Sequence, residues 1–365
     1  MVDADGGATR AAFTALLLVL GTLLWRGTRG SPAEKEINPY EVGGFASLFI
    51  PLVQRLNELE KEPGTPGWVF RVLNQLDLRL YATIGWRLVP LAEVELCELA
   101  GSLDKVCAAD HTAHAVKLLC AEIERPPCSA TGRLVVYQWV RGLLHVRRAC
   151  QDFVKRHPEI HQIKIEQPLF IIGPPRTASS FLLRLLSQDP NFRCPKFWEI
   201  NAPLPPPEEA TYATDRRIQQ AEAGLDSFNT ISPTLLKTIR KFHAFGADEY
   251  EEDSLLLSYS FCFGMYFHMS PDPVSPFAQW MFNAVDKEAA YLLHKQMIQL
   301  LSMRYKPKSC WLLKAPLHSF YPEVLLKTYP DARIIVTHRD HLEAVPSWTK
   351  FVLAHMNVCA GAILC

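Results

Sequence analysis

The sequence predicts an α/β protein with a central parallel sheet, preceded by a helical N-terminal region and a membrane-type hydrophobic segment. Beyond residue 165, short apolar runs alternate with helical patterns, as in "PLFIIG" before "SSFLLRLLSQ" and "ARIIVTH" before "HLEAVPSWTKFVL". That alternation is typical of βα units in a parallel sheet. From about 68 to 155, apolar residues instead recur at spacings of three and four, which predicts amphipathic helices divided near "ERPPCSATG".

The first 30 residues predict a hydrophobic anchor or signal. Residues 11–25, "AAFTALLLVLGTLLW", carry no charge and are bracketed by Arg10 and Arg26. As a helix this segment spans about 22 Å, less than the ~30 Å of a typical hydrocarbon core. It suits a thin internal membrane, a signal-peptide core or a tilted association. We expect single-pass attachment to the Golgi or another internal membrane, in an orientation that the flanking charges leave open.

The rest of the chain divides into three parts that differ in residue pattern. Residues 31–66 predict a juxtamembrane linker, closed by the helix-breaking cluster "KEPGTPG". Residues 67–164 predict the helical region, and residues 165–365 the α/β domain. The 38 basic and 38 acidic residues leave no net charge, so the chain has no general field to gather nucleic acid, and any anion site must be local.

The ten cysteines show no CxxC pair and do not fix a redox compartment. One group has spacing that could imitate a zinc site: Cys107, His111, His114 and Cys120. The surrounding "AHAVKLLCAEI" is better interpreted as an ordinary amphipathic helix. We therefore predict no metal.

The stretch "FIIGPPRTASSFLLRLL", residues 170–186, predicts a strand, a tight turn and a helix start. Gly173 permits the turn and two prolines stiffen it. Free amides at the helix start favour an anion, to which hydroxyls and a guanidinium add donors. The residues concerned are Arg176, Thr177, Ala178, Ser179 and Ser180. The alternative is a simple N-cap in which the hydroxyls satisfy helix amides.

This loop differs from the GxxxxGK[ST] loop of nucleotide triphosphatases. Ala178 stands where that pattern has glycine, and Ser179 stands where it has lysine. No strand ends convincingly in an aspartate that would hold magnesium. Binding of ATP with a metal is therefore the weaker hypothesis for this loop, and a P-loop kinase-like enzyme remains an alternative.

Three ordered segments resemble the sulfotransferases that use 3′-phosphoadenosine-5′-phosphosulfate (PAPS), especially the branch with PRTGTT-type loops. They are "GPPRTASSFLLRLLSQDPNFRCPKFWE", "WLLKAPLHSFYPEVLLKTYPDARIIVTHRD" and "VPS", and the resemblance covers residues 165–355. It implies a P-loop-like three-layer fold and metal-free sulfuryl transfer to a hydroxyl or amine. It also implies that the loop binds the 5′-phosphosulfate and that Arg339 and Ser347 bind the 3′-phosphate.

The resemblance also suggests the catalytic groups. Lys314, at the end of "CWLLK", is similar to the family lysine that contacts the transferred sulfuryl group. Glu199, in "FWE", is the first candidate for the base that deprotonates the acceptor, and His243 is the second. His243 adjoins the acidic run "ADEYEED", for which we favour a solvated acidic face.

Two departures from the family pattern bear on activity. Ala178 replaces the usual loop glycine, which costs about 1 kcal/mol if the position needs a positive φ and little if it is helical. The chain also ends in "NVCAGAILC", without the further helices and basic loop that the resemblance implies. We therefore expect a shortened domain, with a catalytically impaired nucleotide-binding protein as the alternative function. The acceptor could be a small molecule, carbohydrate, lipid or peptide.

Overall fold

The structure is a computed structural model, and it describes residues 76–77, 79–80, 93–103, 111–125, 128, 130–231, 233–242, 244–262 and 275–360. The predicted anchor, the predicted linker, Cys107 and His243 lie outside these residues. Among the described residues, none of the helices combines the length and the apolar character that crossing a membrane requires.

In the part of the chain that the structure describes, the helices α1 (Glu93–Gly101), α2 (Thr112–Ile123) and α3 (Ala130–Arg156) precede the sheet. The break between α2 and α3 falls at the predicted position. In α2, His111 at the N-cap and His114 both set their rings edge-on against Trp280. Cys120 is buried among apolar side chains of the core. No group of His, Cys, Asp and Glu suited to a metal occurs among the described residues.

The strands and later helices then follow in chain order. They are β1 (Leu169–Ile172), α4 (Ser179–Leu186), β2 (Phe192–Arg193), α5 (Phe197–Asn201), α6 (Arg216–Ile231), α7 (Pro233–Phe242), α8 (Ser254–Ser258), α9 (Pro276–Gln279), α10 (Glu288–Leu301), β3 (Cys310–Lys314), α11 (Pro322–Thr328), β4 (Arg333–Val336) and α12 (His341–Ala360). Short 3-10 turns cover Pro158–Gln162, Glu209–Thr214 and Pro316–Phe320, and a π turn covers Trp280–Ala284.

The four strands form one parallel sheet in the order β2-β3-β1-β4. The apolar runs predicted β1, β3 and β4, whereas the two-residue β2 is too short to show a periodic pattern. β3 is buried along its whole length, and β1 is buried from Phe170 to Ile172. β4 is a more exposed edge strand. This confirms the predicted α/β class and parallel sheet.

The register aligns the carboxyl ends of three strands. Ile171 of β1 lies opposite Lys314 of β3, and Ile172 lies opposite Val336 of β4. Parallel strands end at a common edge, and ligands of open α/β sheets bind outside that edge. The loop after β1, the end of β3 and the segment after β4 therefore adjoin one another.

The helical region and the sheet share one apolar core. A single cluster of buried side chains runs from Leu96 in α1 to Tyr329 after α11. A buried guanidinium adds a polar link, because Arg147 of α3 donates to the Tyr259 carbonyl oxygen at 3.2 Å. The helices before β1 therefore pack as part of the sheet's support.

Candidate active site at the strand ends

The turn after β1 requires glycine at its first position. Gly173 has a φ of +135°, and a Cβ placed there would lie 2.3 Å from the Thr337 carbonyl oxygen. Its N–H donates to Ser319 Oγ at 2.7 Å. Only glycine lets the backbone pass this close to the segment after β4.

Two residues without the freedom of glycine also adopt left-handed backbone conformations in the loop. Arg176 has a φ of 68° and Ala178 a φ of 64°. Each such residue costs about 1 kcal/mol or slightly more. Ala178 forms the N-cap of α4 without a side-chain cap. The positive-φ case considered from the sequence is therefore the one that applies to Ala178.

The hydroxyls of the loop have two different roles. Some stabilise the loop itself, and one faces the crevice, which is the space between the loop after β1, the end of β3 and the segment after β4. Thr177 Oγ1 donates to the Pro174 carbonyl oxygen at 2.8 Å and lies 2.6 Å from Thr337 Oγ1. Ser179 is buried, while Ser180 Oγ accepts from Lys314 Nζ at 2.9 Å. The hydroxyl of Thr177 thus joins the loop to the segment after β4, and Ser180 faces the end of β3.

The segment after β4 brings a second basic group to the loop. Arg176 Nε donates to Ser347 Oγ at 3.0 Å, and Arg339 Nη1 donates to the Arg176 carbonyl oxygen at 3.4 Å. Arg339 also pairs with Glu343 at 2.7 Å. Burial lowers the pKa of the Arg176 guanidinium, and the positive charge of Arg339 lowers it further. The positive charges of Arg176 and Arg339 repel each other, so an anion between them would be stabilised.

Lys314 closes the third side of the crevice. It is 2% exposed and ends β3. Its ammonium donates to Ser180 Oγ and forms an ion pair with the Glu252 carboxylate. A lysine this deeply buried is held in one place, beside the hydroxyl at the start of α4.

The structure places Glu199 away from solvent, in a structural ion pair. Its side chain is fully buried, and Arg193 donates to Oε2 at 2.6 Å. Tyr212 Oη donates to Oε1 at 2.8 Å, and the Lys196 N–H donates to the same oxygen at 3.0 Å. Burial raises the pKa of Tyr212 well above its usual value, and the Glu199 charge adds to that rise. An acceptor cannot approach this carboxylate without breaking the pair, so the geometry argues against Glu199 as the base.

The acidic run matches the solvated face that we favoured only in its first half, where the side chains of Asp248 and Glu249 are 49% and 38% exposed. Glu251 and Asp253 are buried, and Glu252 forms the ion pair with Lys314. Burial raises the pKa of Glu251 to about 8, and repulsion by Glu252 contributes. After Tyr250 the run contains no apolar residue that would indicate an interior face. The burial of Glu251 and Asp253 comes from partners that are distant in sequence. The clustering of carboxylates was the sequence feature that pointed to these residues.

Asp253 lies at the centre of a buried network. Its Oδ2 contacts His318 Nε2 at 2.7 Å and His294 Nε2 at 3.0 Å. The Nδ1 atoms of these rings contact the hydroxyls of Tyr291 and Tyr329, both at 2.8 Å. The network ties the acidic run to α10 and to the turn after β3. Sequence reasoning missed these histidines, which stand singly in apolar surroundings.

The comparisons with known proteins agree with this geometry. Residues 168–359 match the sulfotransferase family. The chain belongs to this family. The range includes every loop and strand-end residue described above, and membership makes the protein a sulfotransferase-family enzyme.

Two solved sulfotransferases have similar structures. Sulfotransferase STF9 from Mycobacterium avium is 26% identical with a TM-score of 0.60, over 74% of this chain and 68% of that chain. Sulfotransferase STF1 from Mycobacterium tuberculosis H37Rv is 26% identical with a TM-score of 0.62, over 73% of this chain and 72% of that chain. No curated protein matches the sequence.

Proposed function

We propose that the protein transfers a sulfuryl group from PAPS to an acceptor hydroxyl or amine, without a metal. The observation that carries this proposal is the meeting of Arg176 with Ser347 and Arg339, which joins the loop after β1 to the segment after β4. Sulfotransferase family membership supports PAPS as the donor. The fold we propose is the P-loop-like three-layer form of that family.

The donor sites that we propose lie on the two sides of this meeting point. The amides at the start of α4, with Arg176, Thr177, Ala178, Ser179 and Ser180, would hold the 5′-phosphosulfate. Arg339 and Ser347 would hold the 3′-phosphate. The strained backbone at Ala178 and the buried hydroxyl of Thr177 would act by shaping the loop rather than by donating.

Lys314 would stabilise negative charge on the transferred group. PAPS supplies an activated sulfuryl group on a phosphate leaving group, so catalysis needs fixed donors around the bond that breaks. The Lys314 ammonium is already oriented by Ser180 and Glu252. A preorganised cation of this kind stabilises the transition state without rearranging during the reaction.

Isothermal titration calorimetry tests the donor assignment. We expect the full chain to bind adenosine 3′,5′-bisphosphate in preference to ATP with magnesium. Removing one charge-assisted contact costs about 1.5–3 kcal/mol, so Arg176→Ala and Arg339→Ala should each weaken bisphosphate binding by about 10- to 100-fold. Arg184→Ala is the matched control, because Arg184 is half exposed and pairs with Glu249.

The outcomes of this titration separate the candidate functions. Preference for ATP with magnesium would reject the donor assignment in favour of a kinase-like enzyme. Bisphosphate binding without transfer of labelled sulfate to carbohydrate, lipid, small-molecule or tyrosine-peptide acceptors would identify a nucleotide-binding protein that lacks turnover. Binding together with transfer supports the proposed enzyme.

We also propose that residues 11–25 attach the protein to the Golgi or another internal membrane. The support is the uncharged run itself, which lies outside the described residues. Its length suits a thinner bilayer or a tilted helix.

A further inference from the structure

We propose that Glu252 is the catalytic base that takes the proton of the acceptor hydroxyl during sulfuryl transfer. The inference rests on the proposed function, because it assigns a role within the same crevice. It replaces Glu199, whose carboxylate is fully buried and already accepts three hydrogen bonds.

The first argument is position. Glu252 Oε1 forms an ion pair with Lys314, whose Nζ also donates to Ser180 Oγ at 2.9 Å. An ammonium has three N–H donors, and within the described part of the chain these bonds use two of them. The third can meet an oxygen of the transferred sulfuryl group. Two acceptors on one ammonium lie about 4–5 Å apart, so the carboxylate would stand beside the reacting sulfur.

The second argument is access. The Glu252 side chain is 31% exposed, whereas the neighbouring Glu251 and Asp253 are buried. A general base must reach the acceptor from the solvent side of the crevice. Of these three neighbouring carboxylates, Glu252 alone combines that access with direct contact to Lys314.

The third argument is rigidity. Asp253, the next residue, is fixed by His294 and His318. The Glu252 N–H donates to Glu251 Oε1 at 2.9 Å, and Ser254 Oγ donates to Glu252 Oε2 at 3.2 Å. These contacts hold the backbone and the second carboxylate oxygen, so little reorganisation precedes proton transfer.

The proposed step balances as follows. The acceptor oxygen forms a bond to sulfur while its proton passes to the Glu252 carboxylate. The bond between sulfur and the bridging phosphate oxygen breaks, and that oxygen keeps the electron pair. The products are the sulfated acceptor and adenosine 3′,5′-bisphosphate, and Glu252 then releases the proton to water.

The test compares Glu252→Gln with wild type, using labelled PAPS and a series of phenols graded by the pKa of the hydroxyl, with water as a further acceptor. General-base catalysis typically contributes 10²- to 10⁴-fold. We expect transfer to weakly acidic phenols to fall at least 100-fold. The loss should shrink for acidic phenols, which are largely ionised without a base. Bisphosphate affinity should stay within about threefold of wild type.

Three further variants complete the design. Glu249→Gln, a nearby carboxylate paired with Arg184, should leave transfer unchanged. Glu252→Asp, which keeps a carboxylate, should recover part of the lost activity. Glu199→Gln should lower the thermal midpoint, because it weakens a buried ion pair with Arg193, whereas Glu252→Gln should leave the midpoint within a few degrees.

Each contrary outcome has a distinct meaning. An equal loss for every phenol would overturn the base assignment and show that Glu252 only positions Lys314. Unchanged transfer would overturn the base assignment and show that Glu252 neither removes the proton nor positions Lys314. A wild type that binds bisphosphate but transfers to none of these acceptors would overturn the base assignment as well. A wild type that does not bind bisphosphate would instead reject the proposed function itself.

Discussion

At the scale of single residues, backbone conformation explains the composition of the loop after β1. Gly173 is required because a side chain would collide with the Thr337 carbonyl oxygen. Ala178 tolerates a left-handed conformation that glycine adopts without strain. The methyl group of Ala178 therefore destabilises the loop that carries the proposed phosphosulfate site.

Replacing Ala178 with glycine should raise the free energy of unfolding. Relief of the left-handed strain is worth about 1 kcal/mol, and the greater freedom of glycine in the unfolded chain offsets part of it. We expect a net gain of about 0.5 kcal/mol, measured by chemical denaturation. Ala223→Gly, at an exposed position near the middle of α6, should instead cost about 1 kcal/mol. A loss at Ala178 similar to the loss at Ala223 would contradict the strain argument.

At the scale of elements, the buried network around Asp253 connects α10, the acidic run and the turn after β3. Burial raises the pKa of Asp253, but its contacts with His318 and His294 outweigh burial and hold that pKa well below the usual value. Burial lowers the pKa of His294, and Asp253 reverses only part of that effect. Folding therefore favours ionised Asp253 and neutral His294.

The contribution of His294 to the stability of the protein should consequently fall on acidification. His294 in the unfolded chain takes up a proton below a pH of about 6.5, while the folded state resists protonation. Its contribution is therefore complete above that pH and is lost as the pH falls further. The raised pKa of Glu251 gives the opposite slope over this range, but Glu251 is present in both proteins. We therefore expect acidification from pH 6.5 to 5 to change the free energy of unfolding less favourably in wild type than in His294→Gln. The difference should reach at most about 1.4 kcal/mol per pH unit.

Denaturation with urea at several pH values measures these slopes. His161→Gln is the matched control, since His161 is exposed, and its slope should equal that of wild type. Equal slopes for wild type and His294→Gln would show that the His294 ring does not resist protonation in the folded state.

At the scale of the whole molecule, one buried apolar cluster joins α1 to α3 with the sheet. The balanced net charge leaves the local cations at the strand ends to attract the donor. The proposed site residues all lie between 173 and 347, far along the chain from the hydrophobic run at residues 11–25. Membrane attachment and donor binding should therefore be separable.

Deleting residues 1–30 should release the protein from membranes without changing bisphosphate binding. The expected result is that the full chain sediments with vesicles of internal-membrane lipid composition and resists extraction by carbonate, while the shortened chain remains in the supernatant. Deleting residues 361–365 serves as the control. Sedimentation of the shortened chain to the same extent would contradict the assignment of residues 11–25 as the attachment.

The α/β class, three of the strands and the turn after β1 could be predicted from the sequence alone. These follow from local patterns, namely apolar runs and turn residues, which report short-range backbone preferences. Resemblance to the sulfotransferases added Lys314, Arg339 and Ser347 as predicted site residues.

The burial of individual carboxylates, and which of them face the crevice, became clear from the folded structure and not from the sequence. Glu199 and Glu252 are the same residue type. However, Glu199 is fully buried in an ion pair with Arg193, whereas Glu252 is partly exposed and pairs with Lys314. The network of Asp253 with His294 and His318 likewise joins residues 41 and 65 positions apart. Burial and pairing depend on partners that are distant in sequence, so local pattern carries little information about them.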